Sequence, residues 1–91
     1  MKNNIKISAL VVAHNEENKL ASCLKKLTHA DELVVILDKT NDKSEIIAKN
    51  FGAKVFKGSW NIEANRRNFG IKKCSGDWIL EIDADEHVPK K

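Results

Sequence analysis

Four short apolar runs alternate with three amphipathic segments along the chain. The apolar runs have strand length and many β-branched residues, so they predict β-strands over residues 5–13, 33–37, 53–56 and 78–82. Between them, apolar residues recur at helical spacing and predict helices over residues 19–27, 44–51 and 62–74. The second run is apolar without alternation, which is typical of a strand covered on both faces. The order β-α-β-α-β-α-β therefore predicts a three-layer α/β/α fold with a parallel sheet.

Some positions carry specific expectations about packing. Trp78 opens the fourth apolar run and is predicted to lie in the core. Ile46 is predicted to face the sheet from the second helix, and Gly52 suits the left-handed position after that helix. Gly70 costs about 1 kcal/mol relative to Ala inside the third helix, so it indicates close packing there. Asn41 and Asp42 are candidate N-caps of the second helix.

Length and composition exclude several classes of protein. The chain has 91 residues, 42% of them hydrophobic, which fits one small domain or one half of a larger one. Its net charge of +3 is mild and dispersed, so we expect no nucleic-acid partner. Cys23 and Cys74 lack the spacing of a disulfide framework or a zinc site. The first apolar run is too short for a membrane span and lacks the flanks of a signal peptide, so we expect a cytoplasmic protein.

A pair of carboxylates directly follows the fourth predicted strand. Asp83 and Asp85 are two residues apart, so both would point to one side if the chain stays extended. Two like charges held that close repel each other unless a cation lies between them. The pair is therefore a candidate site for Mg²⁺ or Mn²⁺ carrying a phosphate ligand. The alternative interpretation is an acidic surface turn.

Polar residues also follow the first two predicted strands. His14, Asn15 and Glu16 end the first run, and Asp38 ends the second. Ligands of open α/β sheets bind outside the carboxyl ends of the strands, so these positions are candidates for binding. Each has a structural alternative: a helix N-cap for Asp38, a favourable helix-dipole position for Glu16 and an ordinary loop residue for His14.

Several motifs in order resemble one protein family. They are His-Asn-Glu-Glu at residues 14–17, Leu-Asp at 37–38, Arg-Arg-Asn-Phe-Gly at 66–70, Gly-Asp-Trp at 76–78 and Asp-Ala-Asp-Glu at 83–86. Over roughly residues 5 to 88 the chain resembles the N-terminal, nucleotide-binding half of a family 2 glycosyltransferase with the GT-A fold. It is most similar to bacterial transferases of the lipopolysaccharide core type, which build cell envelope polysaccharide. The resemblance implies the strand order 3-2-1-4.

The resemblance also implies a role for each candidate residue. Asp38 would bond the nucleobase, and Arg67 would face the diphosphate or the base. Asp83 would touch the ribose or a metal-bound water, and Asp85 would hold the metal directly. The full set of implied binding residues is His14, Asn15, Glu16, Asp38, Arg67 and Asp83 for the donor nucleotide, with Asp83 and Asp85 for the metal.

The implied reaction is inverting transfer of a sugar from a nucleoside diphosphate sugar, with a UDP-sugar favoured, to a hydroxyl of a saccharide or lipid-linked acceptor. Mg²⁺ or Mn²⁺ would assist, and the general base would come from the second half of the fold. We therefore expect residues 1–91 to be the donor-binding half of a GT-A domain, with little or no activity alone. The full-length protein would lie in the cytoplasm or at the inner face of the membrane.

Some features depart from the family pattern. Val12 stands where many relatives have Pro, His14 replaces a common Tyr or Lys, and the loop at 39–42 is short and lacks glycine. Base selectivity is therefore open.

A non-catalytic nucleotide-binding or interaction module is the main alternative, and a nucleotidyltransferase is disfavoured because no Gly-rich basic loop follows the first strand. With the fourth strand at a sheet edge, we expect a homodimer through that edge.

Overall fold

A computed structural model describes residues 5–15, 17–40 and 42–84. Its elements in chain order are β1 (Ile7–Ala13), α1 (Glu17–Lys25), β2 (Glu32–Asp38), α2 (Ser44–Asn50), β3 (Lys54–Gly58), α3 (Glu63–Lys73) and β4 (Trp78–Asp83). All neighbouring strands are parallel, and their order is β3-β2-β1-β4. The predicted fold class and strand order are thus confirmed. Over the described ranges, no helix has the length and apolar character needed to cross a membrane.

The register aligns the carboxyl ends of the three strands that matter for the site. Val12 of β1 pairs with Ile36 of β2 on one side and with Asp83 of β4 on the other. Asp38 closes β2, two positions beyond Ile36, and pairs with Gly58 of β3. The residues that follow β1, β2 and β4 therefore converge on one edge of the sheet.

The central strands are buried on both faces, as their apolar runs predict. On one face Ala9, Val11 and Ala13 of β1 pack with Leu20 and Leu24 of α1. On the other face Leu10, Val12, Val34 and Ile36 pack with Phe56, Trp60, Phe69, Ile71 and Cys74. The first face is covered by α1 and α2 and the second by α3, which completes the three layers.

Two predictions about packing are wrong. Trp78 is 66% exposed, and Ile79 and Leu80 beside it are also exposed. The described helices lie over β1, β2 and β3, so the start of the edge strand β4 stays open to solvent. Ile46 is 62% exposed, because the short helix α2 turns Ser44 and Ala48, four residues apart, toward the sheet.

The two glycine predictions are confirmed. Gly52 follows α2 with a φ of +80°, a conformation that side chains rarely adopt. Gly70 is buried, and a Cβ there would lie 2.9 Å from Leu10 Cδ1 and 3.2 Å from Ile36 Cγ1. The missing side chain lets α3 approach the sheet closely, which brings the start of α3 to the carboxyl ends of the strands.

Lys43 occupies the N-cap position of α2, so the prediction of Asp42 at that position is wrong, and Asn41 lies outside the described residues. The Asp42 carboxylate nevertheless orders the start of both helices on the other face. Its Oδ1 accepts a hydrogen bond from the Ser44 amide at 2.9 Å, and its Oδ2 accepts one from the Glu17 amide at 3.1 Å. Glu17 Oε1 in turn accepts from the Lys43 amide. One carboxylate therefore satisfies free amides of α1 and α2 together, and it fixes the loop after β2 against the loop after β1.

Candidate functional site

Asp38 and Asp83 lie at the same edge and on the same face of the sheet. Asp38 contacts Arg66 of α3, so its side chain is on the face that α3 covers. Glu81 of β4 contacts Arg67 of the same helix, and Asp83 is two residues further, hence on the same side as Glu81. One strand, β1, separates the two aspartates, which corresponds to about 10 Å across the sheet.

The Asp38 carboxylate is buried and held by two donors. Its side chain is only 6% exposed. Oδ2 accepts a hydrogen bond from Arg66 Nη1 at 2.9 Å, and Oδ1 accepts one from the Trp60 amide at 3.1 Å. Burial alone would raise the pKa of Asp38, but these hydrogen bonds and the positive charges of Arg66 and Lys39 hold it below the usual value. Asp38 is therefore a fixed negative charge.

The two arginines at the start of α3 reach different strands. Arg66, which the sequence does not single out, forms the buried pair with Asp38 on β2. Arg67, the candidate from the family motif, places its Nε 2.9 Å from Glu81 Oε1 on β4 and is largely exposed. Only the position of α3 across the sheet decides which arginine meets which strand, so the sequence carries no signal that separates them.

A threonine hydroxyl joins the loops that follow β1 and β2. Thr40 Oγ1 accepts a hydrogen bond from the Asn15 amide at 3.2 Å and lies 3.2 Å from the carbonyl oxygen of Ala13. Asn15 and Lys39 have positive φ values of 52° and 55°. Such values are uncommon outside glycine and persist where the surroundings fix them. Thr40 is a second site residue that sequence reasoning missed.

His14 lies at the end of β1, between Asp38 and Asp83, and is exposed. Its Nδ1 is 2.7 Å from the carbonyl oxygen of Asp38. The structure thus brings His14, Asn15 and Asp38 together, with Asp83 beside them on the next strand. Glu16 and Asp85, the other two candidates, lie outside the described residues.

A metal ion at this edge would have few protein ligands among the described residues. Among the described residues, no group of three or more His, Cys, Asp or Glu side chains could hold an ion. Asp83 is exposed at the end of β4 and offers a carboxylate. Mg²⁺ typically uses one or two protein carboxylates together with substrate phosphates and water, so the donor set that starts with Asp83 fits such an ion.

The opposite edge of the sheet contains a carboxylate of a different kind. Glu32, at the start of β2, accepts hydrogen bonds from Lys54 Nζ at 2.6 Å, the Ser75 amide at 2.8 Å and the Ser8 hydroxyl. The hydrogen bond from Lys54, followed by those from Ser75 and Ser8, lowers the pKa of Glu32 to about 2. Its hydrogen-bonding capacity is used within the fold, so we assign it to stability.

Comparison of the sequence with known proteins identifies relatives. The model of "Glycosyl transferase family 2" matches residues 8–91. An uncharacterized glycosyltransferase of Rickettsia bellii is 37% identical over 87 residues, which are 94% of this chain and 30% of that protein. The 4,4'-diaponeurosporenoate glycosyltransferase of Staphylococcus haemolyticus is 36% identical over 62 residues, 65% of this chain and 16% of that protein. The chain spans about 30% of the length of the Rickettsia relatives.

Solved structures agree with this assignment. Glucosyl-3-phosphoglycerate synthase from Mycobacterium tuberculosis, crystallised with UDP, superposes with a TM-score of 0.76 at 26% identity, over 91% of this chain and 35% of that one. Mannosyl-3-phosphoglycerate synthase from Rubrobacter xylanophilus gives 0.79 at 19% identity, over 93% and 33%, and supports the fold alone. The GT-A architecture implied by the motifs is confirmed. Because the family model matches nearly the whole sequence and the fold agrees with it, the chain belongs to glycosyl transferase family 2.

Proposed function

We propose that this chain forms the donor-binding part of an inverting, metal-dependent glycosyltransferase. The donor is a nucleoside diphosphate sugar, with a UDP-sugar favoured, and the acceptor is a hydroxyl of a saccharide or lipid-linked molecule. The observation that carries the proposal is the placement of Asp38 and Asp83 on one face of one sheet edge, flanking β1. Open α/β sheets bind nucleotides at such an edge.

The nucleobase is assigned to the end of the site at β2. There the buried Asp38 carboxylate presents an acceptor and the Arg66 guanidinium presents donors, side by side. The ring of Trp60 packs against Phe69 behind them, with the ring centroids 5.2 Å apart. Because both oxygens of Asp38 are held, by the Trp60 amide and by Arg66 Nη1, this carboxylate is oriented before the nucleotide arrives.

The diphosphate and the metal are assigned to the end of the site at β4. Asp83 and Asp85 would hold the ion, and Arg67, whose partner Glu81 is one step back on the same face as Asp83, would face the diphosphate. When bound, a divalent ion offsets the negative charge that grows on the leaving nucleoside diphosphate. Asn15 and Glu16, in the loop after β1, complete the donor site.

The structural neighbours support a nucleotide donor and a divalent ion. The M. tuberculosis synthase was crystallised with Mn²⁺ and UDP, and also with UDP-glucose and phosphoglyceric acid. An inverting transfer also needs a general base near the acceptor, which we place outside residues 1–91.

The cytoplasmic or inner-membrane location and the homodimer through β4 stay predictions. The exposure of Trp78, Ile79 and Leu80 favours some partner for β4.

Titration calorimetry with UDP, with and without Mn²⁺, tests the proposal. We expect binding that requires Mn²⁺ and that falls at least tenfold in Asp83→Asn, because the ion loses a charged ligand. Asp31→Asn is the matched control, since Asp31 is an exposed aspartate at the opposite edge, and it should bind UDP like the wild type. Binding that ignores both Mn²⁺ and Asp83 would instead favour a non-catalytic nucleotide-binding module, and absence of binding to UDP and to every other nucleoside diphosphate would reject both.

A further inference from the structure

The hydrogen bond made by His14 determines what the free side of its ring can do. His14 Nδ1 lies 2.7 Å from the main-chain carbonyl oxygen of Asp38. A carbonyl oxygen only accepts hydrogen bonds, so Nδ1 must carry the proton. In the neutral ring, Nε2 then has a lone pair and acts as an acceptor. Because His14 is exposed, this acceptor is open to a ligand at the carboxyl edge.

The backbone on both sides of this hydrogen bond is fixed. Thr40 Oγ1 accepts from the Asn15 amide and lies 3.3 Å from the same Asp38 carbonyl that His14 contacts. Lys39, whose φ is 55°, donates its amide to the Gly58 carbonyl at 2.8 Å. The carbonyl therefore has a set direction, and the imidazole that bonds it is oriented before any ligand binds.

We propose that His14 Nε2 accepts a hydrogen bond from a ribose hydroxyl of the bound nucleotide and thereby selects ribonucleotides over deoxyribonucleotides. This inference rests on the proposed function, which assigns the base to β2 and the diphosphate to β4. In a nucleoside diphosphate the ribose lies between these two groups, and β1, which His14 directly follows, lies between β2 and β4.

The chemistry of the nitrogen favours the ribose over the neighbouring groups. A ribose hydroxyl can donate to an unprotonated Nε2, and the 2′-hydroxyl is the group by which proteins distinguish ribose from deoxyribose. Ionised phosphate oxygens only accept hydrogen bonds and so do not match a ring nitrogen with a lone pair. His14 is thus a specificity-determining residue for the donor nucleotide.

Two substitutions separate the roles of the two ring nitrogens. His14→Asn keeps a short N–H donor that can reach the Asp38 carbonyl in the manner of Nδ1, but it has no group at the position of Nε2. His14→Gln has the longer reach, and its amide oxygen can replace the Nε2 acceptor. Both changes are on an exposed side chain, so both variants should fold.

Titration with UDP, 2′-deoxy-UDP and 3′-deoxy-UDP in the presence of Mg²⁺ measures the selection. The wild type should bind UDP about five- to tenfold tighter than at least one deoxy analogue, the difference expected for one hydrogen bond. His14→Asn should weaken UDP binding by that factor and lose the preference over that analogue, whereas His14→Gln should keep part of the preference. Full discrimination by His14→Asn, or none by the wild type, overturns the proposal.

Proton–nitrogen correlation spectra of the imidazole groups give a readout that does not depend on activity. The chain has three histidines, so the His14 signals are assigned by their loss in His14→Asn. In the neutral ring we expect the proton on Nδ1, and the Nε2 signal should shift when UDP and Mg²⁺ are added but shift less with the discriminated deoxy analogue. A proton on Nε2 in the free protein would contradict the inference.

The outcomes distinguish this inference from the function on which it rests. If the wild type binds neither UDP nor any other nucleoside diphosphate with a divalent ion, the proposed function fails and the role of His14 fails with it. If the wild type binds UDP and both deoxy analogues equally, the donor-site assignment stands and only the contact from His14 to the ribose is rejected.

Discussion

The two edges of the sheet use their carboxylates differently. At the amino edge, Asp31 Oδ2 accepts a hydrogen bond from the Ile7 amide at 2.7 Å, and Asp77 Oδ2 accepts one from the Lys6 amide at 3.0 Å. Glu32 accepts hydrogen bonds from Ser8, Ser75 and Lys54. These acids satisfy donors at the ends of strands and loops, so their charges stabilise the fold.

At the carboxyl edge the side chains leave more capacity for a ligand. Asp38 is buried and bound by Arg66 and the Trp60 amide, whereas Asp83 and His14 are exposed side chains, and His14 contacts the Asp38 carbonyl through Nδ1. Two residues there, Asn15 and Lys39, also have positive φ. The difference favours the carboxyl edge as the place of ligand binding, which is where open parallel sheets bind their ligands.

The largest expected effect at the amino edge comes from Glu32→Ala. The substitution leaves Lys54, the Ser75 amide and the Ser8 hydroxyl without their shared acceptor. Hydrogen bonds to a charged group contribute about 1.5–3 kcal/mol each, so we expect a loss of about 3 kcal/mol in the free energy of unfolding. Urea denaturation at pH 7 measures it, with Glu32→Gln as an intermediate control that keeps one acceptor oxygen. A loss below about 1 kcal/mol would contradict the assignment of this edge to stability.

The lowered pKa of the Glu32 carboxylate predicts that the folded chain loses stability in acid. The pKa of Glu32 is lowered from 4.5 to about 2 in the folded chain, first because of its hydrogen bond from Lys54. Its contribution is therefore fully present above pH 4.5 and is lost as the pH falls toward 2, with a total of about 3 kcal/mol. Asp38 and Asp42 also have lowered pKa values. The difference between wild type and Glu32→Gln isolates Glu32 and should shrink between pH 5 and pH 2.

The fold follows from the sequence because its signals are local and consistent. Continuous apolar runs identify β1 and β2 as buried strands, and Gly52 and Gly70 mark a helix end and a close contact that the structure has at those positions. The error at Trp78 has a physical origin: an apolar run shows that a strand can be covered, but not whether the described chain covers it. The prediction for Ile46 is wrong because helical spacing alone does not fix which side of a short helix faces the sheet.

The candidate site was only partly predictable for a similar reason. The strand ends pointed to Asp38, Asp83 and His14, because parallel strands bring their carboxyl ends together whatever the side chains are. Arg66 and Thr40 act through long-range contacts, 28 residues apart for Arg66 with Asp38 and 25 for Thr40 with Asn15. No local pattern encodes such a pairing, so it became visible only when the elements were assembled.

The smallest expected effect on stability comes from Asp83→Asn at the carboxyl edge. Asp83 is exposed, and exposed charges contribute about 0–1 kcal/mol, so the free energy of unfolding should change by less than about 0.5 kcal/mol without ligand. The change should be a small gain in the free energy of unfolding, because Glu81 lies two residues away on the same face and like charges repel.

With Mn²⁺ and UDP present, the wild type should become more stable than Asp83→Asn, which reverses their order without ligand. A ligand that binds only the folded state stabilises it by an amount that grows with the ratio of ligand concentration to Kd, so the wild type should gain stability and Asp83→Asn, which binds more weakly, should gain little. Thermal denaturation with and without both ligands measures the two effects on the same samples. If Asp83→Asn lost as much stability without ligand as Glu32→Ala, then both edges would be structural and the division between them would be wrong.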